Sequence, residues 1–297
     1  MMRTIWAGPP KLRRLADGQP DHPYERFDVR PLSPIIGAEI FGVDLRDDLD
    51  DETFADLRRA LLEWKVIFFR DQDLTGEQHR DFARRWGDLE VHPFLKQGEV
   101  PEVVRFEKGA KEKGYENVWH SDVTWRQEPS LGSVLRAIEV PDVGGDTLFA
   151  DAGAAYDALE PDIQERIDGL TAIHDFSHVF GLLMSADELA EMQQKYPPAE
   201  HPIVRVHPDT GRRTLYVNEA FTSHIPDLDP DESEALLQRL FRQPRIPELQ
   251  CRFRWQPNSI AFWDNRAAWH YAASDYFPAR RVMERVTIIG DRPTGIA

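Results

Sequence analysis

Apolar positions along this chain switch between a helical period and a strand period, and the switches mark out its elements. DDETFADLRRALLEW carries Phe54, Leu57, Leu61 and Leu62 at helical spacing behind an acidic first turn, which predicts a helix. TGEQHRDFARRWGDL predicts a second, with Thr75 placed to cap it and Gly87 near its end. Between them KVIFFRDQ is a continuous apolar run of strand length, rich in β-branched and aromatic residues. Upstream, FDVRPL and GAEIFGVDL read as short strands joined by a turn containing Ser33 and Pro34.

From residue 100 onward short β-rich runs dominate. EVVRFEK, NVWHSDVTW, GSVLRAIEV and DTLFAD read as strands, with a PDVGGD turn before the last. A helical run follows over AYDALEPDIQERIDGL and another around ADELAEMQQKY. HPIVRVHP and RTLYVN, separated by DTGR, read as a hairpin, and DPDESEALLQRLFRQ as a helix opened by acids. CRFRWQ, SIAFWDN, AAWHYA and RVMERVTIIG then read as strands. There is no internal repeat, low-complexity tract or Ser/Gly linker. Many short strands at close spacing with few helices predict a helix-decorated β-sandwich rather than a parallel βαβ sheet. One domain is expected over 25–297, behind a polar, proline-containing lead-in over 1–24 that is expected to be poorly ordered.

Composition narrows the class. With 297 residues, 41% of them hydrophobic, the chain buries enough surface to need no disulfide. Its single cysteine, Cys251, could not form one within the chain, which fits a reducing cytoplasm. A formal charge of −16, from 36 basic and 52 acidic side chains, repels phosphate backbones and anionic bilayers. Nucleic acid and membrane are therefore not expected partners. No apolar run approaches the ~18–20 residues of a membrane span, and the N-terminus lacks a secretory apolar stretch. A soluble cytoplasmic protein is expected, and any anionic substrate needs local arginines and histidines inside the acidic shell.

The candidate chemistry starts at NVWHSDVTW. In a strand, side chains two apart project to the same face, so His120 and Asp122 would converge while Trp119, Ser121 and Val123 face away into packing. An imidazole and a carboxylate are two corners of a 2-His-1-carboxylate site, the set used by non-haem Fe(II) oxygenases when a second histidine completes it. On the dipeptide alone, a hydrogen-bonded pair without metal is the commoner explanation. Of the ten histidines, His270 stands out because flanking runs place it within a sheet. Arg281 heads the next β-rich run and suits the far carboxylate of a 2-oxo acid, since the guanidinium fork binds carboxylate bidentately. Thr147, just after the GGD turn, is placed to complete that grip.

The order WHSDVTW, GGDTL, FWDNRAAWHYA, RR and RVTI resembles the taurine/2,4-dichlorophenoxyacetate dioxygenase family over nearly the whole chain. The resemblance implies a mainly β fold with flanking helices around a double-stranded β-helix (jelly-roll) core. It implies Fe(II) held by His120, Asp122 and His270, with 2-oxoglutarate as cosubstrate held by Thr147 and Arg281. The implied reaction consumes O2 and 2-oxoglutarate, releases succinate and CO2, and hydroxylates a substrate C–H bond. The presence of Asp122 favours hydroxylation, because halogenases of similar type lack this carboxylate.

The same resemblance points to a small anionic organic substrate, foremost an organosulfonate such as taurine, from which hydroxylation releases sulfite. His92 and Arg285 match residues that hold the sulfonate, and Phe180 and Phe221 match the aromatic walls. Arg285, four positions beyond Arg281, shares its strand face. The amine-binding end departs from the pattern: Leu95 and Val179 are apolar where taurine binders are polar, and Glu116 stands where they carry an amide. Alkyl sulfate esters and aryloxyalkanoates are the alternative substrates. From other classes, a zinc hydrolase with the same ligands or a non-catalytic binding protein are the alternatives. A homo-oligomer is expected, as is usual in the family.

Overall fold

A computed structural model describes residues 9–296 except positions 10, 11, 17, 95–98, 115, 182 and 183. In chain order the elements are β1 (Asp28–Pro31), β2 (Ala38–Phe41), α1 (Asp51–Trp64), β3 (Val66–Phe69), α2 (Gly76–Arg84), β4 (Val103–Lys108) and β5 (Ser130–Glu139). There follow β6 (Thr147–Asp151), α3 (Ala152–Asp157), α4 (Pro161–Ile167), β7 (Thr171–His174), α5 (Ala186–Lys195), β8 (Ala199–Pro202), β9 (Val204–Val206) and β10 (Arg213–Leu215). The last are β11 (Thr222–His224), α6 (Pro230–Leu240), β12 (Gln250–Phe253), β13 (Ile260–Asp264), β14 (Ala268–Ala272) and β15 (Arg281–Ile289).

The helices form where side-chain caps and an amphipathic pattern agree. Asp50 accepts from the Thr53 N–H at 2.7 Å to start α1, and Thr75 with Gln78 forms a reciprocal capping box on α2. The run expected over AYDALEPDIQERIDGL is instead two helices, α3 and α4. Glu160 is extended and Pro161 opens a new helix, as a residue before proline avoids the helical region.

The strands make a seven-stranded sheet in the order β1-β2-β3-β13-β5-β15-β4, with β2 and β3 parallel and the other pairs antiparallel. A three-stranded sheet, β12-β6-β14, packs against one face of it. Phe68 stacks on Phe253 across the two sheets with ring centroids 4.0 Å apart, and Phe149 meets Trp263 at 5.7 Å. The strand period of two sorts β13 accordingly. Ala261 and Trp263 face this inter-sheet core, while Ile260 and Phe262 face the opposite side, where Phe82 of α2 and Trp86 just beyond it cover Phe262. Burying an Ile or Phe side chain of this kind contributes roughly 1.5–3 kcal/mol. Two smaller sheets, β11-β7-β8 and β10-β9, complete the strands. Of these, β7, β8 and β11 were not foreseen, being short elements set by pairing partners distant in sequence.

Three described residues of the lead-in meet the body of the protein. Arg13 pairs with Asp157 at 2.8 Å, and Arg14 and the Tyr24 hydroxyl both reach the buried carboxylate of Glu63.

Buried histidines give the fold an acid sensitivity. Burial pushes His79 and His201 down to about 4 and His174 well below its ordinary value. The unfolded chain binds these protons near pH 6.5 and the folded chain resists them. Stability is therefore complete above about pH 6.5 and is lost as pH falls toward about 4, at up to ~1.4 kcal/mol per pH unit for each group. The thermal unfolding midpoint is expected to drop by ~10 °C between pH 7 and pH 5. A midpoint that stays level over that interval, followed by circular dichroism, overturns this account.

Candidate active site

Two backbone hydrogen bonds bring the histidines together. His120 N–H donates to His270 O at 3.0 Å and His270 N–H to His120 O at 2.8 Å, setting their rings 4.1 Å apart. His270 sits on β14 in the small sheet, whereas the segment around His120 contributes only this single bridge. The His120 Nδ1 lies 2.9 Å from the Val118 carbonyl, which can only accept, so Nδ1 carries the proton and Nε2 offers a lone pair.

NVWHSDVTW is therefore not the strand expected of it. Residues 122–125 form a turn, and Val123 has φ +48°, in the left-handed region. His120 and Asp122 converge all the same: Asp122 Oδ1 is 3.9 Å from His120 Nε2 and 3.8 Å from His270 Nε2. Trp119 and Ser121 are buried as expected, but Val123 lines the cavity beside the site instead of facing away. The donor atoms of His120, Asp122 and His270 all lie within 4.8 Å of one another, close enough to share one divalent ion.

Electrostatics keep Asp122 and His270 in their ligating forms. Burial alone would raise the Asp122 carboxyl, but Arg285 foremost, then His270, His120 and Ser133, hold it well below the usual carboxylate range. Arg285 Nη1 donates to Oδ1 at 2.9 Å and Ser133 Oγ to Oδ2 at 2.8 Å. Burial holds His270 neutral, well below its ordinary value. An ionised carboxylate and a neutral imidazole are forms in which these groups bind Fe(II).

Between the sheets, next to the histidines, lies a cavity of about 80 Å³ lined in part by Thr147, Arg281, Met283 and Arg285. Arg281 lies over the rings of Tyr276 and Trp255, and its buried Nε and Nη2 have no hydrogen-bond partner among the described residues. Burial lowers its pKa, although Tyr276 and Glu116 partly offset the loss of solvent. Such an edge asks for a carboxylate with two oxygens in plane. Thr147 Oγ1 accepts from Trp255 Nε1 at 2.9 Å, which frees its own O–H to donate into the same space. The GGD turn serves this grip: Gly145 has φ +71°, and a Cβ there would sit 3.2 Å from Arg281 Cδ. The residues present thus fit a chelated metal and the far carboxylate of a 2-oxo acid.

A larger cavity of about 300 Å³ opens beside it, with His92 and Arg285 at one end. His92 is 3% exposed, and its Nδ1 accepts from the Phe94 N–H at 3.2 Å, so Nε2 carries the proton. Burial, helped by Arg285, pushes His92 down to about 3, which makes it a neutral donor at physiological pH. Val118, Val123, Val179, Phe180 and Phe221 supply apolar wall, the two phenylalanines stacked with centroids 6.3 Å apart. Glu116 lines both cavities, and Lys108 lies 3.6 Å from its carboxylate. Leu95 lies outside the described residues.

Comparison with known proteins assigns this architecture. Residues 28–287 match the family described as "Taurine catabolism dioxygenase TauD, TfdA family". The chain belongs to that family. The family's jelly-roll core is accordingly the fold described above, and the chain is an alpha-ketoglutarate-dependent dioxygenase, for which iron and 2-oxoglutarate are implied. Among curated relatives, an alpha-ketoglutarate-dependent sulfate ester dioxygenase of Pseudomonas putida is 35% identical, over 91% of this chain and 92% of its own. An (S)-phenoxypropionate/alpha-ketoglutarate-dioxygenase of Sphingobium herbicidovorans is 36% identical, over 89% and 96%. Among solved structures, a putative alpha-ketoglutarate-dependent taurine dioxygenase from Burkholderia xenovorans superposes with a TM-score of 0.80 at 40% identity, over 91% of this chain and 94% of that one.

In this TauD, TfdA family dioxygenase every described residue singled out from the sequence borders one of the two connected cavities. The sequence reading missed Ser133, Trp255 and Tyr276, which hold Asp122, Thr147 and Arg281 in turn. Only their neighbourhood to quoted motifs pointed that way, because their contacts are long-range. Among the described residues no helix is long and apolar enough to cross a membrane.

Proposed function

We propose that His120, Asp122 and His270 hold Fe(II) and that Thr147 and Arg281 hold 2-oxoglutarate. The substrate proposed is an organic anion with an apolar body, an alkyl sulfate ester or alkanesulfonate, held at Arg285 and His92. The observation that carries the reading is the two-histidine, one-carboxylate set beside a buried arginine edge with no partner among the described residues: His120, His270 and Arg281 line the smaller cavity, and Asp122 lines the larger one next to it. When bound, Fe(II) with 2-oxoglutarate supplies the oxidising power, as one O2 converts the 2-oxo acid to succinate and CO2 and delivers its other oxygen atom to a C–H bond.

The protein's own part is placement. Arg281 and Thr147 fix the cosubstrate by its far carboxylate, which turns its other end toward the histidines. Arg285, with a permanent charge, and His92, as a neutral N–H donor, fix the substrate anion, so the carbon nearest that anion is the one presented. The apolar wall excludes water from the reacting carbon. Hydroxylation of a carbon bearing a sulfate ester gives an unstable intermediate that splits into aldehyde, sulfate and a proton; a sulfonate gives aldehyde and sulfite. An apolar wall and a Glu116 already opposite Lys108 favour such substrates over taurine, whose ammonium needs a free acidic partner.

Alkyl sulfates, alkanesulfonates, taurine and phenoxyacids, tested for 2-oxoglutarate-dependent O2 uptake, separate the cases by release of sulfate, sulfite or phenol. Alkyl sulfate or alkanesulfonate turnover with one succinate per aldehyde is expected; preferential turnover of taurine or a phenoxyacid overturns the substrate assignment. Arg285→Ala is expected to raise KM for the organic anion ~30-fold or more, the cost of removing a buried charged hydrogen bond, and KM for 2-oxoglutarate far less. Equal effects on both constants overturn the division of labour between the two arginines.

A further inference from the structure

We propose that Asn265 is a positioning residue that fixes the direction of the Asp122 carboxylate by clamping the Asp122 backbone; the role rests on the reading of Asp122 as a metal ligand. Asn265 Oδ1 accepts from the Asp122 N–H at 2.7 Å, and Asn265 Nδ2 donates to Asp122 O at 2.9 Å and to Ser130 O at 3.3 Å. One side-chain amide thus meets both backbone polar groups of a single residue, as a neighbouring strand would. With both groups held, the φ and ψ of Asp122 are set, and with them the direction of its Cα–Cβ bond.

The clamp is anchored to a rigid support. Asn265 is 1% exposed, follows directly on β13 in the seven-stranded sheet, and its own N–H donates to Leu131 O at 2.9 Å. On its N-terminal side the fully buried carboxylate of Asp264 accepts from Arg266 and His207. The segment it holds needs holding. Val123 sits at φ +48°, a region that a β-branched residue avoids; beyond it Thr124 is fixed by Asn218, His174 and His201, whereas the Asp122 backbone is met by Asn265 and, at 3.5 Å, by Ser130 Oγ. Without the amide, the backbone at 123 gains by relaxing to negative φ, which swings Asp122 away from His120 and His270. Ser133 and Arg285 then find no carboxylate to hold.

The test measures Mn(II) binding to the full-length chain by calorimetry, with Mn(II) standing in for Fe(II) because it does not oxidise. Asn265→Ala is expected to weaken Mn(II) binding ~10–100-fold, the range found when an outer partner of a metal ligand is lost. Val123→Gly removes the left-handed penalty, so in that background the loss caused by Asn265→Ala should shrink to less than ~3-fold. A general loss of stability would not be repaired by a glycine at 123. Unchanged affinity in Asn265→Ala overturns the proposal, as does a loss of the same size in both backgrounds. Should Asn265→Ala fail to fold, hydrogen exchange on the unaltered chain decides: the Asp122 amide must exchange as slowly as those of β13, and fast exchange overturns the clamp. An unaltered chain that binds no Mn(II) overturns the metal reading itself and is told apart by its slow Asp122 amide.

Discussion

Asp122→Ala is expected to abolish succinate formation coupled to substrate oxidation, by ~10³-fold or more. Asp122 supplies the only charged donor of the proposed set, and a bound ion contributes several kcal/mol to the transition state at tenfold in rate per 1.36 kcal/mol. Its loss also leaves Arg285 facing the cavity without its 2.9 Å partner. Removing one side of a buried pair costs ~3–5 kcal/mol, so Asp122→Asn, which keeps shape and one acceptor, separates lost ligation from lost stability. Both variants should fail to bind Mn(II) tightly, with Asp122→Asn retaining more of the unfolding midpoint. Full turnover in either variant overturns the assignment of the metal centre.

Arg281→Ala is expected to raise KM for 2-oxoglutarate ~10²–10³-fold and to leave KM for the organic substrate nearly unchanged. The buried Nε and Nη2 edge of Arg281 has no partner among the described residues, so its desolvation is met when a carboxylate arrives. Truncating such a charged hydrogen-bonding group costs ~2–5 kcal/mol of binding. Arg281→Lys keeps the charge and loses the fork, and should fall between the wild type and alanine. Succinate formation against 2-oxoglutarate concentration checks the first prediction. A raised KM for the organic substrate alone would mean the two arginines exchange roles.

Where local signals agree, the chain's elements are legible without coordinates. α1 and α2 carry a cap, an acidic first turn and a helical stripe, so each formed where expected. The shared face of Arg281 and Arg285 follows from the strand period, and both line the smaller cavity. The reading failed where distant contacts decide the local conformation. NVWHSDVTW has the alternation of a strand, yet it turns at Val123, and Asn265 grips it from 143 positions away. β7, β8 and β11 read TAIH, AEHP and TSH and lack the continuous apolar run that marked the equally short β3, VIFF.

The sequence by itself determined the chemistry on offer: a mainly β chain, two histidines and an aspartate in motif order, and two arginines on one strand face. Those depend on residue identity and on spacing within single elements. Only the tertiary structure decided which arginine is already engaged and which stands ready. Arg285 donates to Asp122, whereas the buried Nε and Nη2 of Arg281 have no hydrogen-bond partner among the described residues. It also decided that Glu116 is met by Lys108, and that Asp122 points at the histidines from a turn rather than along a strand. Each of these depends on groups brought together by folding, where burial makes an unmet charge or a strained backbone costly enough to fix one arrangement.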